Sequence, residues 1–423
     1  MFKRLTTWIM IGLVLGIGSG YVANAWFPES SAGFAEVASL LPTVFLRLIK
    51  MIIAPLVFST LVVGIAKMGD IATVGRVGGK ALAWFIGASL ISLTLGLILV
   101  QLFEPGKVMQ LPIPEADAAS GVEAGALSLS TFISHTVPTS IIDAMARNEI
   151  LQIVVFSLFF GTAMAALGER NKILIDVIDV VAHIMLKVTG YVMLFAPLAV
   201  FGALANTVAK EGLGIIRVYG VFVGEFYFAL LVLWIVLMIM GGLVIGPRVV
   251  QLIRRVREPV ILAFSTASSE AAYPKTLEEL ERFGCSNRVA SFVLPVGYSF
   301  NLDGSMMYCT FAVMFIAQVY GIELTFAQQI VMLAILMLTS KGIAGVPRAS
   351  LVVIAATLPQ FNIPEAGMLL LLAVDHFLDM GRSATNVIGN SIATAVVSKW
   401  EGELQPADAN GQPLPAASES RVS

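Results

Sequence analysis

Long apolar runs constrain the fold of this chain more than any other feature of its sequence. Each run approaches or exceeds the length of about 20 residues that a helix needs to cross a bilayer core. The runs are residues 6–26, 41–66, 81–103, 150–168, 176–206, 217–246, 290–320 and 364–398. Of the 423 residues, 57% are hydrophobic and only 13% are charged, whereas a soluble domain carries about 25% charged residues. We therefore predict an all-α polytopic membrane protein with eight transmembrane helices.

Basic residues mark one side of the predicted membrane. They cluster at residues 3–4, 67–80, 170–172 and 248–257, which share a side if each run crosses once. The positive-inside rule makes this side cytoplasmic, so we expect both termini in the cytoplasm and a bacterial-type plasma (inner) membrane. The first run could also be a signal peptide, but its apolar stretch is longer than a usual signal core and favours a retained helix. Residues 404–423 have the composition of a disordered tail.

Two further segments, residues 258–289 and 326–361, each contain two short apolar halves around a centre of small residues. Non-helical backbone at membrane depth survives only where it is buried in protein or lines water, so this pattern predicts two re-entrant helical hairpins. One hairpin would enter from the cytoplasm and the other from outside, and each precedes a long helix. Inverted repeats with interrupted helices are typical of secondary transporters.

A polar stripe interrupts the last apolar run, in the sequence AVDHFLDMGRSATNVIGN at residues 373–390. Its members recur every three or four residues, so on a helix they share a face about 80° wide. They are Asp375, Asp379, Arg382, Asn386 and Asn390. Ionisable residues at membrane depth normally face a cavity or a substrate. An ion pair that serves only packing, or a face turned to water, is the alternative.

The run at residues 290–320 contains a second break, in the sequence LPVGYSFNLDGSMMY. Asn301, Asp303 and Gly304 favour a turn in the middle of the span. A turn there would free carbonyl oxygens for a hard cation, and Asp303 would supply the charge. The pattern therefore predicts a sodium-type site, with a kink packed against Ser or Thr side chains as the alternative.

Several functional classes are disfavoured. The net charge of −2 and the absence of a basic cluster interleaved with aromatic residues argue against nucleic-acid binding. The few cysteines and histidines show no metal-ligand spacing, and we expect neither an enzyme nor a bound cofactor; these residues are Cys285, Cys309, His135, His183 and His376. A channel is also disfavoured, because a site with fixed charges of both signs would hold a zwitterionic acid too well for fast conduction.

From about Thr6 to Trp400 the chain resembles the dicarboxylate/amino acid:cation symporters. The resemblance is carried by FLRLIKMIIAPLVFSTLVVG, SSEAAYP, NLDGS, GIAGVP and DHFLDMGRSATNVIGN. It implies a homotrimer in which residues 1–75 and 136–215 form a scaffold with the first, second, fourth and fifth helices. Residues 76–110 and 216–400, with the other helices and both hairpins, would form a transport domain that carries a small acidic substrate across the bilayer by an elevator movement.

The resemblance also implies roles for individual residues. Asp379 would bind a substrate amino group, Arg382 its side-chain carboxylate and Asn386 its main-chain carboxylate. Further contacts would come from Ser383, Ser268, Ser269 and Gly345. Because Asp379 would be idle without an ammonium group, we predict uptake of L-glutamate or L-aspartate. The alternative is a C4-dicarboxylate such as succinate, fumarate or malate.

The coupling ion stays open between Na⁺ and H⁺. The residues that match cation ligands of the family are Asp303, Asn301, Asn390, Ser89, Gly297, Ser299, Ser340 and Ile343. The chain departs from the sodium-coupled pattern, because Asn390 replaces an aspartate and Ala88 a threonine. Glu270 is either a proton carrier or a charge that stabilises a helix start. Many members of the family have an arginine at the position of Ala267 or Met380, and Arg348 is a candidate to supply that positive charge here.

Overall fold

A computed structural model describes residues 2–68, 71–108, 136–167, 171–212, 215–340, 349–372 and 374–406. Helices account for most of these residues, which form no strand beyond one antiparallel bridge between Cys285 and Leu404. The described helices up to residue 245 are α1 (Phe2–Trp26), α2 (Pro28–Met68), α3 (Ile71–Phe103), α4 (Pro105–Val108), α5 (Ile141–Arg147), α6 (Ile150–Leu167), α7 (Lys172–Val192), α8 (Ala196–Glu211) and α9 (Ile215–Ile245). Those that follow are α10 (Arg248–Arg255), α11 (Arg257–Thr266), α12 (Tyr273–Phe283), α13 (Asn287–Phe300), α14 (Asp303–Val319), α15 (Phe326–Thr339), α16 (Ala349–Thr357), α17 (Met368–Leu372) and α18 (Asp375–Trp400). The predicted all-α fold is confirmed.

Several helices extend beyond the apolar runs that predicted them. Helix α2 begins at Pro28 instead of residue 41, and α3 begins at Ile71 instead of residue 81. Proline suits the first position of a helix, and Glu29 in the first turn of α2 favours the positive end of the helix dipole. The helices therefore extend into the preceding segments, which are too polar to be counted as membrane-spanning but favour a helix locally.

Two of the apolar runs contain breaks, and the one at Asn301 was predicted. A 3₁₀ turn at Met193–Phe195 separates α7 from α8 near Pro197, and Asn301 and Leu302 separate α13 from α14. The first hairpin consists of the half-length helices α11 and α12. The second consists of α15 and α16, and the residues between them, 341–348, lie outside the described part of the chain.

The last predicted run, residues 364–398, is not one helix, and that prediction was wrong. Helix α17 ends at Leu372 and α18 begins at Asp375. The N–H of Val374 donates to the carbonyl of Leu371, three residues back, at 2.9 Å, which is a tighter turn than an α-helix makes. The polar stripe therefore starts at the first residue of its own helix.

Seven helical stretches in the described part of the chain are long and apolar enough to cross a membrane. They are Thr7–Trp26, Pro28–Ala66, Ala72–Val108, Ile150–Leu167, Lys172–Lys210, Tyr219–Ile245 and Asn287–Val319. Helix α18 has 26 residues, but its polar stripe makes it too polar for this group. A multi-pass membrane protein is confirmed, whereas eight crossings stay a prediction.

Glycines allow α1 to pack closely on α8. Gly12, Gly16 and Gly20 recur every four residues and so share a face of α1. A methyl group at Gly16 would lie 2.6 Å from the carbonyl oxygen of Phe201, and one at Gly20 would lie 2.7 Å from that of Ala205. Small residues at this spacing are typical of closely packed membrane helices. Helix α2 packs on α6, α7 and α8 and completes this group of helices.

A second group of helices surrounds α18. This helix packs on α9, α11, α13 and α14, and α3 packs on α14. The indole N–H of Trp234 in α9 donates to Thr385 Oγ1 at 2.7 Å, and the Tyr227 hydroxyl donates to the carbonyl of Phe377 at 2.6 Å. Every residue from Leu378 to Ser398 is buried, so this part of the stripe faces protein. The division into scaffold and transport domain stays a prediction.

Residues 401–405, which we call the C-terminal strap, fold back onto the base of the first hairpin. Leu404 pairs with Cys285 in the antiparallel bridge, and the N–H of Gln405 donates to the carbonyl of Gly284 at 2.8 Å. The prediction of a disordered tail from residue 404 was therefore wrong for residues 404 and 405, because these backbone bonds hold them in place. The rest of that tail, from residue 407, lies outside the described residues.

Glu401 in the strap binds the beginning of α3. Its carboxylate lies 3.0 Å from Arg76 Nη2 and 2.6 Å from Lys80 Nζ. Burial alone would raise the pKa of Glu401, but the hydrogen bonds from Arg76 and Lys80 outweigh burial and lower this pKa below its ordinary value of 4.5. A carboxyl group with a lowered pKa in the folded protein stabilises the fold above its ordinary pKa, and this contribution is lost as the pH falls through the folded-state pKa.

We expect Glu401→Gln to lower the free energy of unfolding by about 1 kcal/mol at pH 7, because ion pairs near the surface are screened by water. The difference from the wild type should shrink as the pH falls below 4.5. Thermal unfolding at pH 7 and at a pH below 4.5 measures this difference in stability. Glu36→Gln, at an exposed position on α2, is the control. A difference that persisted unchanged at low pH would contradict the assigned role of the carboxylate.

Candidate functional site

The break between α13 and α14 brings backbone N–H groups to the polar stripe. The first N–H groups of a helix have no partner within it, and here Asn386 Oδ1 accepts hydrogen bonds from the N–H groups of Gly304 at 2.9 Å and Ser305 at 3.3 Å. A side chain at Gly304 would collide with the backbone carbonyl of Arg382, so glycine permits this approach. The NLDGS segment and the polar stripe therefore form one site.

Arg382 lies at the centre of this site, and its side chain is fully buried. Its Nε lies 2.5 Å from Asp379 Oδ1, and the two side chains are 0% and 1% exposed. Nη1 donates to Ser305 Oγ at 3.0 Å and to Ser350 Oγ at 3.4 Å, and Nη2 donates to Ser383 Oγ at 3.4 Å. Residues from α14, α16 and α18 thus orient the guanidinium group, which is suited to bidentate binding of a carboxylate.

The ion pair gives Asp379 a role within the protein. In the sequence this carboxylate has no evident partner other than a substrate ammonium group, to which it was therefore assigned. In the structure its partner is Arg382, one turn further along the same helix. Removing one member of a buried ion pair leaves an uncompensated charge, so Asp379 is needed even where the substrate carries no positive charge.

A second cluster surrounds Asp303 at the start of α14. Asn301 Nδ2 donates to Asp303 Oδ2 at 3.2 Å and to Asn390 Oδ1 at 3.4 Å, and Ser92 Oγ of α3 donates to Asp303 Oδ1 at 3.3 Å. All four side chains are buried. Among the described residues, Asn301 Oδ1 accepts no hydrogen bond although it is buried. A carboxylate beside an unpaired amide oxygen fits the oxygen ligands that hard cations prefer.

The other predicted cation ligands are Ser89, Gly297, Ser299, Ser340 and Ile343. Gly297 lies at the Asp303 cluster, because a side chain there would collide with Asn390 Oδ1. Ser89 is buried on α3, three residues before Ser92. Ser299 and Ser340 are buried too, but among the described residues neither serine forms a hydrogen bond with Asp303. Ile343 lies outside the described residues.

The tip of the first hairpin offers hydroxyl groups near α18, on which α11 packs. Ser268 Oγ accepts a hydrogen bond from the N–H of Ala271 at 3.3 Å. Ser269 Oγ is buried and has no hydrogen-bond partner within the described part of the chain. Glu270 is buried at the start of the following 3₁₀ turn. At the second hairpin, Gly345 and Arg348 lie outside the described residues, so their predicted roles stay predictions.

Four hydroxyl groups of the site were not identified from the sequence. They belong to Ser92, Ser305, Ser350 and Tyr308, the last of which donates to Asp375 Oδ1 at 2.6 Å. Ser305 directly follows NLDG, and Ser92 follows Ala88 by one helical turn. Both serines therefore lie next to positions that the sequence had already indicated as part of the site. Serine in a helix often bonds its own backbone instead, so the residue type alone did not distinguish these side chains.

Comparison with known proteins places this site in a family. A family model described as the sodium:dicarboxylate symporter family matches residues 5–400. A C4-dicarboxylate transport protein of Bacillus subtilis (strain 168) is 38% identical over 416 residues, which is 96% of each chain. A protein of the same name from Cupriavidus taiwanensis is 40% identical over 410 residues, which is 95% of this chain and 92% of that one.

These comparisons confirm the predicted family and correct the predicted substrate. The prediction of L-glutamate or L-aspartate uptake was wrong, since proteins that are similar over nearly the full length are named for C4-dicarboxylate transport. The alternative reading, a C4-dicarboxylate symporter, agrees with these names. The error came from Asp379, which was assigned to an ammonium group before its ion pair with Arg382 was known.

Proposed function

Because the chain belongs to the sodium:dicarboxylate symporter family, we propose that it is a secondary active symporter that takes up C4-dicarboxylates such as succinate, fumarate or malate together with Na⁺ or H⁺. One structural observation carries the proposal. The guanidinium group of Arg382 is fully buried, oriented by Ser305 and Ser350, and located at a helix break. A buried arginine of this kind is suited to selecting carboxylates.

The two ends of a C4-dicarboxylate would meet different parts of the site. One carboxylate would bind Arg382, in competition with Asp379. The other would accept hydrogen bonds from the unpartnered hydroxyl of Ser269 at the tip of the first hairpin and from the amide of Asn386, whose Nδ2 now donates to Ser305 Oγ at 3.2 Å. The site would thus recognise two carboxylates without needing an ammonium group.

Charge balance explains why uptake of such a substrate would require cations. A dicarboxylate brings two negative charges into a buried site, where an uncompensated charge costs several kcal/mol. The positive charge of Arg382 is already shared with Asp379. Cations bound near Asp303 and Asn301 would offset the charge of Asp303 and help to balance the two substrate carboxylates, so substrate and cation would bind together. Asn390 contributes a neutral amide here, which leaves Asp303 as the charged ligand proposed for this cluster.

We extend the proposal to the assembly and its movement. The chain would form a homotrimer in an inner membrane, with both termini in the cytoplasm and the basic clusters on the same side. Helices α1, α2 and α6–α8 would form the static scaffold. The helices packed around α18 would carry the substrate across by an elevator movement, and α13 of this group packs on α2 and α6 of the scaffold.

The test of the proposed function is uptake of labelled succinate by the purified protein in proteoliposomes. Inward Na⁺ and H⁺ gradients are imposed separately and together, with unlabelled fumarate, malate or L-aspartate as competitors. We expect succinate to accumulate with at least one gradient, fumarate and malate to compete, and L-aspartate to compete poorly. Accumulation of L-aspartate by vesicles that do not accumulate succinate would overturn the proposal.

The ion pair predicts a specific effect of Asp379→Asn. This change leaves a buried guanidinium group without its carboxylate, so we expect the free energy of unfolding to fall by about 3 kcal/mol. A substrate carboxylate can replace the missing partner, so succinate should raise the thermal midpoint of the variant more than that of the wild type. Thermal unfolding with and without succinate measures both effects, and Ser383→Ala is the control. A variant as stable as the wild type would contradict the structural role of Asp379.

A further inference from the structure

A cluster of arginines follows α9 and takes no part in the site described above. Helix α9 ends at Ile245, and the chain turns at Gly246, whose φ of +66° is favourable for glycine. Residues 248–257 then form α10 and the first residue of α11. This segment contains four arginines, at positions 248, 254, 255 and 257, and directly follows an apolar membrane-spanning helix.

One side of α10 is fixed to the protein. Val249 and Leu252 are buried, and α10 packs on α12 and α18. The guanidinium group of Arg248 donates to the carbonyls of Gln405 at 2.8 Å and Phe283 at 3.1 Å. Its carbon lies 4.8 Å from the centre of the Phe283 ring. These contacts hold α10 in one orientation. We call the side of α10 that faces away from α12 and α18 its outer side.

The outer side combines an apolar residue with cations. Val250 is 43% exposed and lies one helical turn before Arg254, which is exposed. Arg257, at the start of α11, is exposed as well. Near the end of α9, Leu243 is 83% exposed. Exposed apolar residues beside exposed arginines, at the end of a membrane-spanning helix, are typical of a segment at the boundary between acyl chains and headgroups.

Stabilisation of the fold does not account for both exposed arginines. Within the described ranges, neither Arg254 nor Arg257 forms an ion pair. By contrast, Arg282 on α12 pairs with Glu278 and Glu279. Arg254 lies in the last turn of α10, where a cation is favourable, but Arg257 lies in the first turn of α11, where it opposes the helix dipole. An external anion would offset that cost.

We propose that Val250, Arg254 and Arg257 form a binding surface for an anionic phospholipid of the cytoplasmic leaflet. The arginines bind the headgroup phosphate, and an acyl chain lies along Val250 and Leu243. Basic residues immediately cytoplasmic of a membrane helix attract anionic lipids by about 1 kcal/mol each. The chain's own residues 407–423, with Asp408, Glu419 and Arg421, are the other anionic candidate, and their deletion is therefore part of the test.

The experiment measures lipid binding directly and does not depend on transport. The purified full-length protein is titrated with phosphatidylglycerol or phosphatidylcholine, and bound lipid is resolved by native mass spectrometry. We expect preferential binding of phosphatidylglycerol. The double change Arg254→Gln, Arg257→Gln should weaken this binding about tenfold or more, since each arginine contributes about fivefold. Arg254→Lys with Arg257→Lys keeps both charges and should retain most of the affinity.

Arg282→Gln is the matched control, because it removes an exposed arginine from the neighbouring helix α12 that already has acidic partners. It should leave phosphatidylglycerol binding unchanged. The proposal is overturned if the Arg254/Arg257 glutamine variant binds phosphatidylglycerol as tightly as the wild type. It is equally overturned if deletion of residues 407–423 markedly tightens lipid binding, since the tail would then occupy the surface. Neither readout involves succinate, so a failed uptake assay leaves this test intact.

Discussion

Arg382→Ala should abolish concentrative uptake of succinate, with a loss of at least about 100-fold in initial rate, because the variant loses a buried, charge-assisted contact to the substrate carboxylate. Arg382→Lys should be nearly as inactive. A lysine ammonium lacks the planar fork that can bind a carboxylate, Ser305 and Ser350 at the same time. Uptake of labelled succinate in proteoliposomes measures both variants.

Loss of uptake by Arg382→Ala could also reflect misfolding, because Asp379 would be left buried without its partner. The double variant Asp379→Asn, Arg382→Gln separates the two explanations. It removes both charges and keeps side chains of similar size, and neutral replacements of a buried ion pair are often tolerated. We expect a thermal midpoint close to that of the wild type and no uptake. A stable double variant that still accumulated succinate would refute the binding role of Arg382.

Asp303→Asn should uncouple the protein from its cation. The change preserves the shape of the side chain but removes the negative charge beside Asn301 and Ser92. A carboxylate dominates the binding of a hard cation. If the coupling ion is Na⁺, the Na⁺ concentration that gives half-maximal succinate binding should rise about 100-fold or more. If it is H⁺, the neutral side chain mimics the protonated state, and succinate exchange should become independent of pH.

Titration of succinate binding with Na⁺ at several pH values distinguishes these two results. Ser92→Ala is the matched control, since it removes a neutral hydroxyl group from the same carboxylate. Its effect should be about tenfold or less, in line with one lost hydrogen bond of about 1 kcal/mol. An Asp303→Asn protein with wild-type dependence on both Na⁺ and pH would show that the cation binds elsewhere.

Periodicity and breaks in the sequence predicted much of this arrangement. The spacing from Asp375 to Asn390 placed five side chains on one helical face, and the turn residues Asn301 and Gly304 marked the position at which α14 begins. Both features follow from local geometry, which a single sequence expresses directly. The NLDGS segment and the stripe were each recognised, although their contact through Asn386 became visible only in the structure.

The errors at Asp379 and in the C-terminal strap concern a choice between partners or a partner far away in the sequence. A carboxylate such as Asp379 gives the same local pattern whether it binds a ligand or a neighbouring guanidinium group. Ser350 contacts Arg382 from another helix, and Leu404 and Gln405 are held by Cys285, Gly284 and Arg248, which are all distant in the sequence. Hydropathy and composition carry no information about such pairings.

The C-terminal strap also has a consequence for the order in which the protein is assembled during synthesis. In the turn between α12 and α13, the N–H of Ser286 donates to the carbonyl of Glu403, and the carbonyl of Gly284 accepts from the N–H of Gln405. Glu403 and Gln405 are translated more than a hundred positions after Cys285. The base of the first hairpin is therefore completed only after residue 405 has been synthesised. A ribosome that stops before codon 401 releases a chain that contains every helix of the binding site but leaves this turn without its last partners.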